Sequence, residues 1–153
     1  MKLDEIDKKL LSILQTNAKI SNLELAEKVN LSATPCARRV KRFEDQGLIL
    51  GTTTLLDQEK LGLKLTAYIA VSMERHTQRQ FEQFESQVTQ FPEVISCSVV
   101  TGRAEDYLLK VVVRDMKHYE EFLLRRLNRL QGVNNVHSSF ELRNVISGKG
   151  LPL

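Results

Sequence analysis

Apolar residues fall at helical spacing three times within the first 50 positions. Ile6, Leu10, Leu11, Ile13 and Leu14 form the first stripe, and Asp4 is placed to cap its helix. Ser21-Asn22-Leu23-Glu24 opens the second. Ser21 and Glu24 have the spacing of a reciprocal capping box, and Leu25, Ala26 and Val29 point inward. Asn30-Leu31-Ser32 makes a tight turn into a third helix, which Ser32 caps, Pro35 enters in its first turn and Gly47 ends. Ala37, Val40, Phe43 and Leu48 are expected to close a small core against the first two helices.

Beyond Gly47 the pattern changes. Leu48 to Leu56 is rich in apolar and β-branched residues and predicts a short strand or wing followed by a linker, with a boundary between Asp57 and Gly62. Leu65 to Glu74 then alternates, with Ala67, Ile69, Val71 and Met73 on one face and Tyr68 on the other. Thr77 caps a helix with Phe81, Phe84, Val88 and Phe91 inward, and Pro92 forbids its continuation. Val94 to Thr101 and Tyr107 to Arg114 read as a hairpin around the turn Gly102 to Asp106. Asp115 caps a helix running through Leu130, Gly132 ends it, and Val136 to Val145 is expected as the last strand. The order β-α-β-β-α-β is the ferredoxin-like split unit. Its helices cover one face of an antiparallel sheet, so the other face calls for a partner, and dimerisation through that sheet is expected. The expected domains are 1–50, a helix-turn-helix; 51–63, a linker strand; and 64–153, the sheet domain.

Composition changes this picture little. The 153 residues are 42% hydrophobic and 27% charged, ordinary for a globular chain with a real core. Met1 to Glu5 passes straight into an acidic amphipathic helix rather than a signal peptide, so a cytoplasmic location is expected. Cys36 and Cys97 belong to no CxxC pair, and His76, His118 and His137 are scattered, so no metal site is expected. No nucleophile-base set or carboxylate pair has catalytic context, which points away from an enzyme. Ser147-Gly148-Lys149-Gly150 lacks the spacing of a phosphate-binding loop.

Charge distribution matters more than the net +3. Lys28, Arg38, Arg39, Lys41 and Arg42 cluster within 28–43 with no acid among them. On the third helix Thr34, Arg38, Lys41 and Asp45 share one face, flanked by Arg39 and Arg42. Two helices joined by a short turn, with bases on the second, have the form that enters a DNA major groove. Ser32, Thr34 and the helix start lie where hydroxyls and amides can take a phosphate. Double-stranded DNA is therefore the expected partner. The sheet unit alone fits two other readings, a regulatory subunit of an amino-acid metabolic enzyme and an RNA-binding module. The strand Tyr107 to Val113 has no paired aromatics of the kind RNA modules stack on bases.

Ile20 to Ala26, Leu31 to Cys36 and Arg38-Arg39-Val40 together resemble the DNA-binding region of the Lrp/AsnC (feast/famine) transcription regulators, closest to the leucine-responsive branch. Val100-Thr101-Gly102 followed by Asp106-Tyr107-Leu108-Leu109 resembles that family's ACT-like amino-acid-sensing domain, so the likeness spans nearly the whole chain. The resemblance implies a bacterial, nucleoid-associated regulator that forms dimers and octamers of four dimers and answers to a free amino acid. It adds Ser21, Asn22 and Pro35 to the DNA-contacting set. It places the effector near Thr101, Gly102, Arg103, Ala104, Glu105, Asp106 and Tyr107, with His137, Ser138 and Ser139 closing the pocket from a neighbouring subunit. Glycine amides there suit an α-carboxylate, and Asp106 or Glu105 suits the α-ammonium. The turn departs from most of the family in its longer Arg103-Ala104-Glu105 insert, which predicts a bulge. No cofactor is expected other than the effector, and leucine or methionine is the expected effector because the turn lacks an extra charge dedicated to an ionised side chain, with Arg103 and Glu105 leaving lysine and acidic effectors open.

Overall fold

A computed structural model describes residues 2–102 and 104–153. The chain forms two compact units, one made of Met1–Leu55 with Val145–Leu153, the other of Leu56–Asn144. Each has its own hydrophobic core.

The first unit holds α1 (Glu5–Thr16), α2 (Asn22–Lys28) and α3 (Ala33–Asp45). Asp4 caps α1 and exchanges hydrogen bonds with Asp7, and Ser21 and Glu24 do the same at α2. Leu10, Leu25, Ala26, Cys36 and Phe43 are buried at its centre. Two expected core residues are corrected. Ala37 and Leu48 are exposed, and the buried position on α3 is Cys36. Positions 36, 40 and 43 follow the spacing of one helical face, and Ala37 lies 100° off it.

The strand expected between residues 48 and 56 does not form. Gly47 adopts φ +68°, and the Leu48 and Ile49 amides both return to the Phe43 carbonyl, at 2.8 and 3.2 Å. Those residues therefore finish α3. The rest of the segment finds no partner strand among the described residues, and a lone strand is not stable.

The second unit runs β1 (Leu65–Met73), α4 (Gln78–Val88), β2 (Val94–Val99), β3 (Tyr107–Val113), α5 (Met116–Arg125), a 3-10 turn (Leu127–Arg129) and β4 (Val133–Phe140). This is the expected order, and the sheet is antiparallel throughout with strand order β2-β3-β1-β4. Ala67, Ile69, Val71 and Met73 of β1 and Tyr107, Leu109, Val111 and Val113 of β3 bury one face against Phe84, Val88, Tyr119, Phe122, Leu127 and Leu130. The other face carries Tyr68, Leu108, Lys110, His137 and Ser139.

Two boundaries differ from expectation. The fifth helix stops at Arg125, and the tighter 3-10 turn keeps Leu127 and Leu130 over the sheet. The last strand starts at Val133 because Gly132, at φ +85°, turns the chain straight into it. It ends at Phe140, opposite Ala67.

Separate cores predict separable stability. Leu10→Ala should cost the first unit about 2–5 kcal/mol, and Leu109→Ala should cost the second about as much. Amide exchange should rise in the substituted unit alone; equal loss of protection in both units would show a single shared core.

Candidate functional site

The helix pair α2–α3 is set by short-range chemistry. Asn30 takes the left-handed turn position at φ +55°, which asparagine tolerates better than most residues. The Asn22 side-chain amide donates to the Ala33 carbonyl at 2.9 Å and so ties the start of α2 to the start of α3. Cys36 and Phe43, fully buried, pin the rotation of α3. Thr34, Ala37, Arg38 and Lys41 are left exposed along it, with Glu44 and Asp45 at its far end. The positive, acid-free part is thus the N-terminal half.

The five-base cluster is smaller in space than in sequence. Asp7, only 2% exposed, accepts from Arg39 Nη1 at 2.6 Å and from Arg42 Nη2 at 2.8 Å, and Asp4 accepts from Arg39 at 2.6 Å. The Arg39 hydrogen bond is the main reason the Asp4 carboxyl is held below its ordinary value, and the same bond raises Arg39. Arg39 and Arg42, expected to flank the open face and contact DNA, therefore brace α3 against α1. Lys28, Arg38 and Lys41 make no ion pair among the described residues. Ser21 is also a structural residue. Its hydroxyl lies 2.7 Å from Glu24, and that bond is the main cause of a lowered Glu24 pKa. Ser32 occupies the cap position of α3 with an exposed side chain that makes no cap hydrogen bond, so its hydroxyl is available. Pro35 is half-buried in the first turn.

The second candidate lies at the β2–β3 turn. Gly102 adopts φ +101°, and the position of an added Cβ meets nothing within 4 Å. Only the backbone conformation demands glycine here. Thr101, Gly102 and Ala104 are exposed, Glu105 is half-buried, and Arg103 lies outside the described residues. Asp106 is the anchor. Its Oδ2 accepts from the Met73 amide at 2.7 Å, its Oδ1 meets His76 Nε2 at 2.8 Å, and its own amide donates to the Val71 carbonyl at 2.8 Å. Two donors already hold the carboxylate, and only its remaining lone pairs face a ligand.

Tyr107 is corrected outright. Strand alternation turns it to the helix side, where it is fully buried, lies 4.5 Å ring to ring from Phe84 and donates to Glu85 at 2.8 Å. Burial first, and the Glu85 carboxylate second, push its phenol well above the ordinary range. Ser138 likewise points to the helix side, in a hydrogen bond with the Tyr119 hydroxyl. His137 and Ser139 stay on the open face, paired with Ala70 and Tyr68, and His137 contacts Asn135 at 3.0 Å. His76 and the Met73 amide escaped sequence reasoning, since 30 residues separate His76 from Asp106 and no motif joins them. A groove of about 280 Å³ lined by Glu85, Val88, Cys97, Val99 and Tyr107 lies on the helix side near the same end of the sheet.

Among the described residues no helix is long and apolar enough to cross a membrane, and no group of three acidic, histidine or cysteine side chains is placed to hold a metal.

Two family models match the chain. Residues 3–49 match "Winged helix-turn-helix DNA-binding", and residues 66–151 match "Lrp/AsnC ligand binding domain", which reaches into the segment packed with the first unit. The DNA-binding transcriptional activator DecR of Escherichia coli is 42% identical over 151 residues, covering 99% of both chains. The leucine-responsive regulatory protein of Escherichia coli is 41% identical over 143 residues, covering 94% of this chain and 87% of its own. A transcriptional regulator from Neisseria meningitidis, solved as its complex with L-methionine, superposes with a TM-score of 0.93 at 40% identity, covering 99% of this chain and 97% of its own.

The lowered Asp4 pKa fixes the sign of an acid effect. Its contribution is complete above the unfolded value near 3.8 and is lost as pH falls through the lower folded value. The first unit should therefore lose stability below pH ~4 more steeply in the wild type than in Asp4→Asn. Asp7→Asn, which removes the charge between two guanidinium groups and turns one of its two acceptor oxygens into a donor, should cost about 1–3 kcal/mol at neutral pH. Thermal unfolding across pH 3 to 7 checks both, and parallel curves for wild type and Asp4→Asn would remove the brace from the account.

Proposed function

This chain belongs to the Lrp/AsnC family of DNA-binding, amino-acid-responsive transcription regulators, and from that premise we propose how its parts divide the work. The first unit reads double-stranded DNA through the exposed face of α3 between Thr34 and Lys41. Arg38, Lys41 and Thr34 face the groove, Ser32 and the first amides of α3 take a phosphate, and Pro35 shapes that turn. Arg39, Arg42, Ser21 and Asn22 hold the reading helix in place. The single observation that carries this is the exposed, acid-free basic stripe left once the Asp7 brace has consumed its neighbours.

The second unit binds the effector at Thr101 to Asp106, where Gly102 presents backbone amides to the α-carboxylate and Asp106 or Glu105 receives the α-ammonium. His137 and Ser139 from a neighbouring copy complete the pocket. Leucine or methionine is the effector we favour, supported by the leucine-responsive relative, the methionine-bound neighbour and the lack of a dedicated charge in the turn. The open sheet face pairs copies into dimers, which assemble further into octamers in the bacterial cytoplasm, at the nucleoid.

Arg38→Ala and Lys41→Ala should weaken operator binding with no change in stability or assembly size. A lost phosphate contact should lower the salt slope by about one, and a lost base contact should cost roughly 1–3 kcal/mol and relax specificity. Unchanged affinity in both variants would displace α3 from the groove.

Gly102→Val should abolish effector binding and lower stability. Asp106→Asn keeps an acceptor for the Met73 amide but loses a charge-assisted bond of about 1.5–3 kcal/mol, roughly 10- to 100-fold in affinity. Calorimetry with leucine and methionine reads both. Wild-type affinity in Asp106→Asn would pass the ammonium to Glu105.

A further inference from the structure

The segment Val145–Leu153 follows the effector-binding unit in the chain, yet it folds into the DNA-reading unit. We propose that it is a latch, docked on α1 of its own chain, that gives the reading unit a second covalent hold.

The clasp is Gln15. Its Oε1 accepts from the Leu151 amide at 2.6 Å and its Nε2 donates to the Leu151 carbonyl at 3.3 Å. One side-chain amide thus serves both backbone groups of one residue, as a neighbouring strand would. The approach is close: a Cβ on Gly150 would lie 3.0 Å from Gln15 Cδ and Oε1 and 3.1 Å from Gln15 Cβ, so the Gln15 side chain would have to shift. Gly148, at φ +66°, bends the chain toward the clasp, and a Cβ added there would lie 3.5 Å from Leu55 Cδ1. Pro152 has no amide to extend the pairing.

Leu151 and Leu153 sit on the rim of an apolar groove of about 650 Å³ walled by Leu3, Leu14, Ile20 and Val40. They keep 76% and 51% of their surface, so the latch is seated but shallow. Little buried area holds it, and it is built to release. Leu151 and Leu153 complete the groove's lining, and the clasp and the Gly150 contact hold them against α1.

The topology supplies the consequence. The chain passes between the two units at residues 55–56 and again at 144–145. With the latch docked, the reading unit is tethered at two points; with it released, at one. A second tether limits the orientations open to the unit, which raises the effective concentration of one reading helix at its half-site once the partner helix has bound. This consequence rests on the DNA reading proposed above.

The test uses the full chain. In a Cys97→Ser background, Gln15→Cys with Gly150→Cys places two thiols at the clasp, and mild oxidation should yield an intrachain disulfide, seen as a faster monomer band on a non-reducing denaturing gel. A disulfide-linked dimer would assign the latch to a second copy and overturn the proposal. Separately, Gly150→Val and Gln15→Ala should each speed exchange of the Leu151 amide, and unchanged exchange would refute the clasp. Gly150→Val should then bind a two-half-site duplex about tenfold more weakly than wild type while keeping single half-site affinity. An equal change on both duplexes, or none, would deny the latch its role. Failure of the wild type to bind either duplex would count against the DNA reading, and the gel and exchange results would still decide the latch.

Discussion

The buried carboxylate of Asp7 is the constraint on which the first unit turns. A charge this far from water persists only with partners, and it takes them from α3 as Arg39 and Arg42. The pairing sets the rotation of α3 together with Cys36 and Phe43, and so decides which side chains are left outside. Arg38 and Lys41 are free because their neighbours are not. An apolar residue at position 7 would pack the helices as well, but it would leave four bases on α3 without specifying which face they occupy.

A comparable division of labour holds at the β2–β3 turn. Asp106 is fastened by the Met73 amide and His76, which makes it the peg that fixes the hairpin against the end of β1. In the turn beyond it, Thr101, Gly102 and Ala104 are exposed. Rigid support beneath an open turn is the usual way a fold offers a precise site on a loop. Tyr107 belongs to the support, since its ring packs on Phe84 and its hydroxyl is spent on Glu85.

Much of the fold was legible along the chain, for physical reasons. Capping boxes act across three residues, glycine stops and proline breaks act on their own neighbours, and the apolar repeat of a helix or strand shows within ten residues. That is why Asp4, Ser21, Thr77 and Asp115 were found as caps and why the β-α-β-β-α-β order emerged with few errors. The errors sit where local signals tie. Ala37 and Cys36 are both small, and only packing decides which faces the core. Leu48 to Leu56 has strand composition, and only the absence of a neighbouring strand among the described residues denies it that state.

The sequence by itself therefore determined the helix-turn-helix, the split sheet unit, the basic character of α3 and the glycine turn, because each is written in contacts between near neighbours. Tertiary structure alone decided how the charges are spent. Arg39 and Arg42 are neutralised by acids more than 30 residues away, Asp106 is claimed by His76 across 30, and Leu151 meets Gln15 across 136. Such pairings depend on where the chain returns to itself, which no local pattern encodes.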